Sequence, residues 1–233
     1  MKLILVILFF ICGGFTCRKN ELNMSTSDQK KYTYLALGDS YTIGEKVLLS
    51  DNFPNQVYLM MKNSSIGFEQ PRIIAKTGLT TDELEAGIAS ANNEEPLRSY
   101  YDFVSLLIGV NNQYRGRSVD NYKAEFEELL KKAIFFSGNN PERVVVLSIP
   151  DWGVTPFAEG RDRAKIANEI DAYNAANKII SEKYNVHYLY ITAWTREAVT
   201  DPSLLTSDGL HPSGKEYKRW AEQLVALFKK NIK

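Results

Sequence analysis

The sequence contains few of the residues that bind metals or form disulfide bonds. Its 233 residues include only two cysteines and two histidines. Both cysteines, Cys12 and Cys17, lie within the first 17 residues, so the rest of the chain offers neither a disulfide nor a cysteine metal site. His187 and His211 are too few to make a typical zinc site. These absences argue against a disulfide-rich scaffold and against metal catalysis.

The chain also lacks an excess of charge of either sign. Lys plus Arg and Asp plus Glu number 28 each, so the formal net charge is zero. Because binding to a phosphate backbone requires a basic excess, no nucleic-acid partner is expected. Hydrophobic residues make up 44% and charged residues 24%, which is ordinary for one soluble domain of about 200 residues.

No hydrophobic run is long enough to cross a membrane as a helix. The longest, from Leu3 to Cys12, has ten apolar residues, whereas a spanning helix needs about 20. Its position after Lys2 and before small residues is typical of a secretory signal, which we predict at residues 1–16. A buried core strand is the less favoured alternative, because it would leave Lys2 inside the protein.

The residues after this signal predict a polar tether at 17–31, followed by one domain at 32–233. Cys17 is placed like the lipidated first residue of a bacterial lipoprotein. Membrane association through a lipid anchor at Cys17 and plain secretion therefore both remain open, and both interpretations predict an exported protein of the cell envelope or its surroundings.

Five apolar strand segments alternate with helical segments along this domain. The predicted strands are 32–37, 71–77, 103–108, 143–149 and 186–191. The predicted helices are 53–62, 82–91 with Thr81 as its cap, 118–136, 161–184 and 214–230. This alternation predicts an α/β fold with one five-stranded parallel sheet and helices on both faces. Such sheets bind ligands beyond the carboxyl ends of their strands.

The residues at these strand ends suit ester chemistry. A serine attacks effectively when a histidine removes its proton, and a carboxylate on the imidazole supports the resulting cation. Asp208 and His211 lie three residues apart in one turn, and Ser40 follows the first strand. The N–H groups of Ser40 and Gly78 and the amide of Asn111 are candidate donors to an oxyanion. Each residue alone has a simpler explanation as a cap, turn or loop residue, but their combination favours catalysis.

Four blocks of the sequence resemble those of the SGNH hydrolases, also called GDSL esterases and lipases. The blocks are Gly38-Asp39-Ser40-Tyr41-Thr42, Gly78, Gly109-Val110-Asn111 and Asp208-x-x-His211-Pro212. The resemblance covers about residues 32–230 and implies a flavodoxin-like three-layer α/β/α sandwich. It also implies Ser40 as nucleophile, His211 as base and Asp208 as partner of the base. The implied oxyanion donors are Ser40, Gly78 and Asn111, and no cofactor is needed.

The sequence is less informative about the substrate. Asn112 stands where many members of that family have Asp, which leaves the local hydrogen bonding open. Candidate substrate contacts near the cleft rim are Asn112, Tyr114, Arg115 and Trp152. Two interpretations remain open for Arg115: it binds an anionic headgroup of the substrate, or it is a solvated surface residue. Two remain open for Trp152 as well: it stacks on a sugar ring, or it packs into the rim of the cleft.

We therefore predict a serine hydrolase that cleaves carboxylic esters through an acyl-enzyme. A carbohydrate O-acetyl or short-chain ester is the favoured substrate. The alternatives are a lysophospholipase or other acyl-lipid esterase, a thioesterase, and a non-catalytic envelope protein that binds a glycan or lipid. His187 is expected to be structural, because it sits in an apolar strand with no acid nearby in sequence.

Overall fold

The computed structural model describes residues 30–232. The predicted signal at 1–16, Cys17 and nearly all of the predicted tether at 17–31 lie outside the described residues. Among the helices of the described part, none is both long enough and apolar enough to cross a lipid bilayer.

The structure confirms one five-stranded parallel sheet. Its strands are β1 (Tyr34–Gly38), β2 (Arg72–Ala75), β3 (Phe103–Leu107), β4 (Val144–Leu147) and β5 (His187–Leu189). The strand order is β2-β1-β3-β4-β5, the order of flavodoxin-like sheets. Every residue of β1, β3 and β4 is buried, as the apolar runs in the sequence predict for strands covered on both faces.

Eight α-helices accompany the sheet within residues 30–232. They are α1 (Ser40–Ile43), α2 (Phe53–Asn63), α3 (Thr81–Glu94), α4 (Val110–Tyr114), α5 (Val119–Phe136), α6 (Arg163–Lys183), α7 (Thr192–Arg196) and α8 (Gly214–Lys230). Helices α2 and α8 pack against each other, while α5 packs against both α3 and α6. These two groups form the outer layers, which confirms the predicted three-layer sandwich.

Helix α3 begins one residue away from the predicted cap. Thr81 is its first helical residue and Thr80 is the cap position, so the assignment of the cap to Thr81 was wrong. The Thr80 N–H donates to the Glu83 carboxylate at 3.0 Å, so the first turn is closed by Glu83 reaching back to the residue before the helix. The hydroxyl of Thr81 instead bonds to the Glu125 carboxylate on α5.

Helix α8 is fixed to the centre of the sheet by aromatic packing. The ring of Phe228 stacks on Phe103 of β3, with centroids 4.2 Å apart, and meets Tyr34 of β1 edge-on at 5.2 Å. Trp220 and Leu224, at helical spacing from Phe228, are also buried. The segment that immediately precedes α8 is therefore held in a defined place relative to the sheet.

The register of the central strands brings three loops together. Gly38 at the end of β1 is paired with Ala75 of β2 on one side and with Leu107 of β3 on the other. The chain segments that follow these three strands consequently leave the same edge of the sheet side by side.

Candidate active site

Ser40 is positioned by the tight connection between β1 and α1. Asp39 caps α1, and its Oδ1 accepts the N–H of Tyr41 at 3.0 Å. A Cβ on Gly38 would lie 2.1 Å from Thr42 Oγ1 and 2.5 Å from the carbonyl oxygen of Leu107, so only glycine fits before Asp39. The strand therefore turns into the helix within one residue and presents Ser40 at the first helical position.

Asp208 and His211 form a turn that is internally hydrogen-bonded. Asp208 Oδ1 accepts the N–H groups of Leu210 and His211 at 2.9 and 3.0 Å and the hydroxyl of Thr206 at 2.7 Å. Asp208 Oδ2 lies 2.7 Å from His211 Nδ1, and His211 Nε2 lies 3.0 Å from Ser40 Oγ. One carboxylate oxygen thus holds the turn while the other holds the imidazole against the serine.

The environment of Asp208 keeps its carboxylate ionised. Partial burial opposes ionisation, but the hydrogen bonds from His211, Thr206 and nearby N–H groups outweigh it and lower the pKa of Asp208 to about 2. An ionised Asp208 selects the His211 tautomer with its proton on Nδ1, which leaves Nε2 free to accept the Ser40 proton. The three side chains therefore have the arrangement that a serine nucleophile, its general base and the residue that orients the base require.

Two backbone N–H groups beside Ser40 are available to bind an anion. Within residues 30–232, neither the N–H of Ser40 nor that of Gly78 has an acceptor in the protein. The N–H of Ser40 lies in the first turn of α1, where backbone N–H groups have no carbonyl acceptor within the helix. Gly78 adopts φ +86°, a conformation that L side chains rarely take, and lines the same cleft as Ser40.

Asn111, the third predicted oxyanion donor, lies at the same cleft but is already engaged. Its Nδ2 donates to the carbonyl oxygen of Leu79 at 3.0 Å and to Asp39 Oδ2 at 3.2 Å. Both amide hydrogens therefore have acceptors in this arrangement. A direct bond from Asn111 to a reacting carbonyl oxygen would require one of these contacts to be shared or exchanged.

Asp39 is a buried carboxyl group that sequence reasoning did not assign to the site. Burial raises its pKa to about 7, although the hydrogen bonds from the Tyr41 N–H and the Asn111 amide oppose this shift. Its contact with Asn111 joins the loop after β1 to the loop after β3. No sequence signal links two residues 72 positions apart.

The cleft above Ser40 is small and has aromatic walls. It encloses about 160 Å³ and is lined by Ser40, Gly78, Asn111 and His211 together with several apolar side chains. The apolar part of the wall comprises Tyr41, Val110, Tyr114, Trp152, Phe157 and Leu210. Tyr41 and Leu210 directly follow or precede a predicted catalytic residue, so adjacency could have identified them. Phe157 belongs to a short 3-10 helix, Pro156–Ala158, after β4, and its position in the sequence gives no such signal.

Of the four predicted substrate contacts, only Tyr114 and Trp152 line the cleft. Trp152 is almost completely buried and donates its Nε1–H to Gln113 Oε1 at 2.6 Å. Its ring meets Tyr114 edge-on, with centroids 5.3 Å apart. Trp152 is therefore a fixed part of the wall, while Tyr114 is the more exposed of the two.

Asn112 and Arg115 were expected near the substrate, but they lie outside the cleft lining. Asn112 is fully buried, accepts the N–H of Thr81 at 3.1 Å and donates to the Thr81 hydroxyl at 2.6 Å. It therefore holds the start of α3 and has no surface to offer a ligand. Arg115 binds the Glu83 carboxylate and the carbonyl oxygen of Gly78 at 2.8 and 2.7 Å.

Most of the chain also matches a known protein family. The GDSL-like Lipase/Acylhydrolase family matches residues 36–219, a range that includes Ser40, Gly78, Asn111, Asp208 and His211. No curated protein matches the sequence.

Several solved structures share the fold. TesA has 16% sequence identity and a TM-score of 0.65, over 86% of this chain and 99% of that one. The psychrotrophic esterase EstA from Pseudoalteromonas sp. has 16% identity and a TM-score of 0.63, over 85% and 97%. The acetylxylan esterase Axe2 from Geobacillus stearothermophilus has 19% identity and a TM-score of 0.64, over 84% and 94%. Since the family match spans most of the sequence, the chain belongs to the GDSL-like lipase/acylhydrolase family, a family of ester hydrolases.

Proposed function

We propose that the protein hydrolyses carboxylic esters through an acyl-enzyme at Ser40, with His211 as general base and Asp208 as its partner. The observation that carries this proposal is the continuous hydrogen-bonded chain from Ser40 Oγ through His211 to Asp208, with distances of 3.0 and 2.7 Å. In this chain each group has the partner that serine activation requires.

The reaction proceeds in two acyl transfers. Ser40 Oγ attacks the ester carbonyl while His211 Nε2 takes its proton, and the N–H groups of Ser40 and Gly78 stabilise the oxyanion. The protonated imidazole then gives its proton to the departing alcohol, which leaves the acyl group on Ser40. Water, deprotonated by His211, attacks this ester, and collapse of the second tetrahedral intermediate releases the acid and restores the serine.

We further propose a short acyl group, favouring a carbohydrate O-acetyl ester. The cleft of about 160 Å³ suits a small acyl group better than a long chain. Tyr114 and Phe157, each 44% exposed at its rim, provide aromatic faces of the kind on which sugar rings stack. The fold likeness to an acetylxylan esterase points in the same direction.

The apolar character of the cleft wall favours a second candidate, an acyl-lipid esterase or thioesterase. Hydrolysis of nitrophenyl esters of increasing acyl length separates the two. A steep fall in kcat/KM beyond acetyl supports the O-acetyl esterase, whereas a maximum at long chains supports the lipid enzyme.

The proposed nucleophile is tested by comparing the wild-type protein with Ser40→Ala on nitrophenyl acetate. Loss of the nucleophile is expected to lower kcat by about 10³-fold or more. A reactive phosphonate should label wild-type protein at Ser40 and leave the variant unlabelled. Hydrolysis that is unchanged in Ser40→Ala contradicts the mechanism, and the absence of both hydrolysis and labelling points to a non-catalytic binding protein.

We also propose export, on the N-terminal sequence alone. Expression of the full chain in a bacterial host, followed by fractionation and mass spectrometry, locates the mature N-terminus. A diacylated Cys17 that disappears in Cys17→Ser supports a lipoprotein, an unmodified mature N-terminus near residue 17 supports secretion, and an uncleaved cytoplasmic chain contradicts both.

A further inference from the structure

The loop that carries Gly78 has few backbone contacts of its own. It runs from the end of β2 at Ala75 to the start of α3 at Thr81. The turn within it is closed by a long hydrogen bond of 3.4 Å from the N–H of Leu79 to the carbonyl of Lys76. Because this bond is weak, the position of Gly78 depends on side chains that reach the loop from elsewhere.

Helix α4 and the residue that caps its carboxyl end supply two of these side chains. Asn111 Nδ2 donates to the carbonyl of Leu79 at 3.0 Å, and Arg115 Nη2 donates to the carbonyl of Gly78 at 2.7 Å. Asn111 and Arg115 are four residues apart, so they project from the same face of one helical turn. Two successive carbonyl groups of the loop are thus held from one side.

The other end of the Arg115 guanidinium is fixed as well. Its Nη1 donates to Glu83 Oε1 at 2.8 Å, and Glu83 Oε2 accepts the N–H of Thr80 at 3.0 Å. The planar guanidinium therefore bridges the Gly78 loop and the first turn of α3. A single ammonium group cannot reproduce this two-point geometry.

We propose that Arg115 is a positioning residue for the oxyanion hole. By holding the Gly78 carbonyl, it keeps the N–H of the same residue beside Ser40, where the negative charge develops. This inference rests on the proposed function. It replaces the expectation that Arg115 contacts an anionic substrate, because both donor ends of its guanidinium already have protein partners and Arg115 does not line the cleft.

A purely structural role is the competing explanation, and Arg117 provides the matched control. Arg117 also joins the segment after α4 to α3, through Asp82 at 2.6 Å, but within residues 30–232 no hydrogen bond or ion pair joins its side chain to the Gly78 loop. The side chains of Arg115 and Arg117 are 43% and 28% exposed. Ion pairs this exposed contribute little to stability, so both alanine variants should fold.

The test measures kcat and KM for full-length wild type, Arg115→Ala, Arg117→Ala and Arg115→Lys on the neutral substrate nitrophenyl acetate. Misplacement of an oxyanion donor is expected to lower kcat of Arg115→Ala about 10-fold, with KM within about twofold. Arg117→Ala should keep wild-type kcat, and Arg115→Lys should fall between wild type and Arg115→Ala. Thermal unfolding of the variants, compared with wild type, checks that folding is preserved.

The inference is overturned if Arg115→Ala and Arg117→Ala have the same kcat, or if Arg115→Ala raises KM for nitrophenyl acetate and leaves kcat unchanged. The lysine variant matching wild type would also count against it, because charge alone would then suffice. Failure of the proposed function itself looks different, since wild-type hydrolysis would then not depend on Ser40.

Discussion

The two carboxylate oxygens of Asp208 have different partners, one in the backbone of its own turn and one in the His211 side chain. Its Oδ1 accepts N–H groups from within its own turn, and its Oδ2 meets the His211 imidazole. Such an arrangement is predictable from sequence, because three-residue spacing in a turn brings the two side chains together. The contact between Asp39 and Asn111 was not predictable, because only the pairing of β1 with β3 brings those residues together.

The raised pKa of Asp39 predicts how its replacement affects stability. In the unfolded chain this carboxyl has an ordinary pKa near 3.8, and in the fold about 7. Between these values the native state retains a proton that the unfolded chain releases, so the stability of wild type falls as pH rises. The whole shift corresponds to about 4 kcal/mol.

Asp39→Asn removes this titration. The free energy of unfolding of the variant, relative to wild type, is therefore expected to rise by about 2–3 kcal/mol between pH 5 and pH 8, as measured by urea denaturation. Its activity should fall, because the single amide oxygen of asparagine cannot accept both the Tyr41 N–H and the Asn111 amide hydrogen, which Asp39 receives on separate oxygens. Asp120→Asn is the control, since that side chain is 91% exposed. A relative stability of Asp39→Asn that is equal at both pH values contradicts the prediction.

At the scale of elements, the length of a helix determined whether it could be predicted from the sequence. Long helices such as α5 and α8 show several turns of apolar periodicity, and the structure confirms them. Helices α1 and α4, of four and five residues, are too short to show a period, and sequence analysis missed both. These two short helices nevertheless present Ser40 and Asn111 to the cleft.

The sharp entry into α1 predicts that Gly38 is irreplaceable. In Gly38→Ala the new Cβ would meet the Leu107 carbonyl oxygen at 2.5 Å, a backbone atom of β3 that cannot move aside cheaply. We expect the free energy of unfolding to fall by about 2–4 kcal/mol and kcat to fall with it, as Ser40 shifts.

Gly87 is the matched control for this substitution. It lies inside α3, and an added Cβ would have no contact closer than 3.9 Å. Gly87→Ala should therefore raise stability by about 0.5–1 kcal/mol, because alanine is the better helix former. Equal effects of the two alanines in chemical denaturation would show that the contact at Leu107 does not restrict this position.

At the scale of the molecule, the alternation of elements predicted the layers and the edge where the site lies. The alternation does not show which side chains far apart in the sequence come within hydrogen-bond distance at that edge. Ser40 and His211 are 171 residues apart in sequence, yet their side chains come within 3.0 Å. Their meeting depends on the strand register at Gly38 and on the packing of α8 against the sheet.

Because the contact between Ser40 and His211 depends on the packing of α8, we expect ester hydrolysis and the folded structure to be lost together on denaturation. Phe228 is 1% exposed and stacks on Phe103, so Phe228→Ala is expected to lower the free energy of unfolding by about 3–5 kcal/mol. Phe228 does not line the cleft, so kcat without denaturant should stay within about twofold of wild type. Ile179→Ala, at a side chain that is 66% exposed, should change stability by less than about 0.5 kcal/mol.

The measurement compares loss of ester hydrolysis with loss of far-ultraviolet circular dichroism along one urea titration. Because the Asp208–His211 turn leads directly into α8, both signals should have the same midpoint in wild type, and both should shift equally in Phe228→Ala. If hydrolysis disappears at lower urea than the dichroism, the turn separates from Ser40 while the sheet remains folded. The meeting of Ser40 and His211 would then depend on local contacts of the turn, such as the bond from Thr206 to Asp208, and not on the docking of α8.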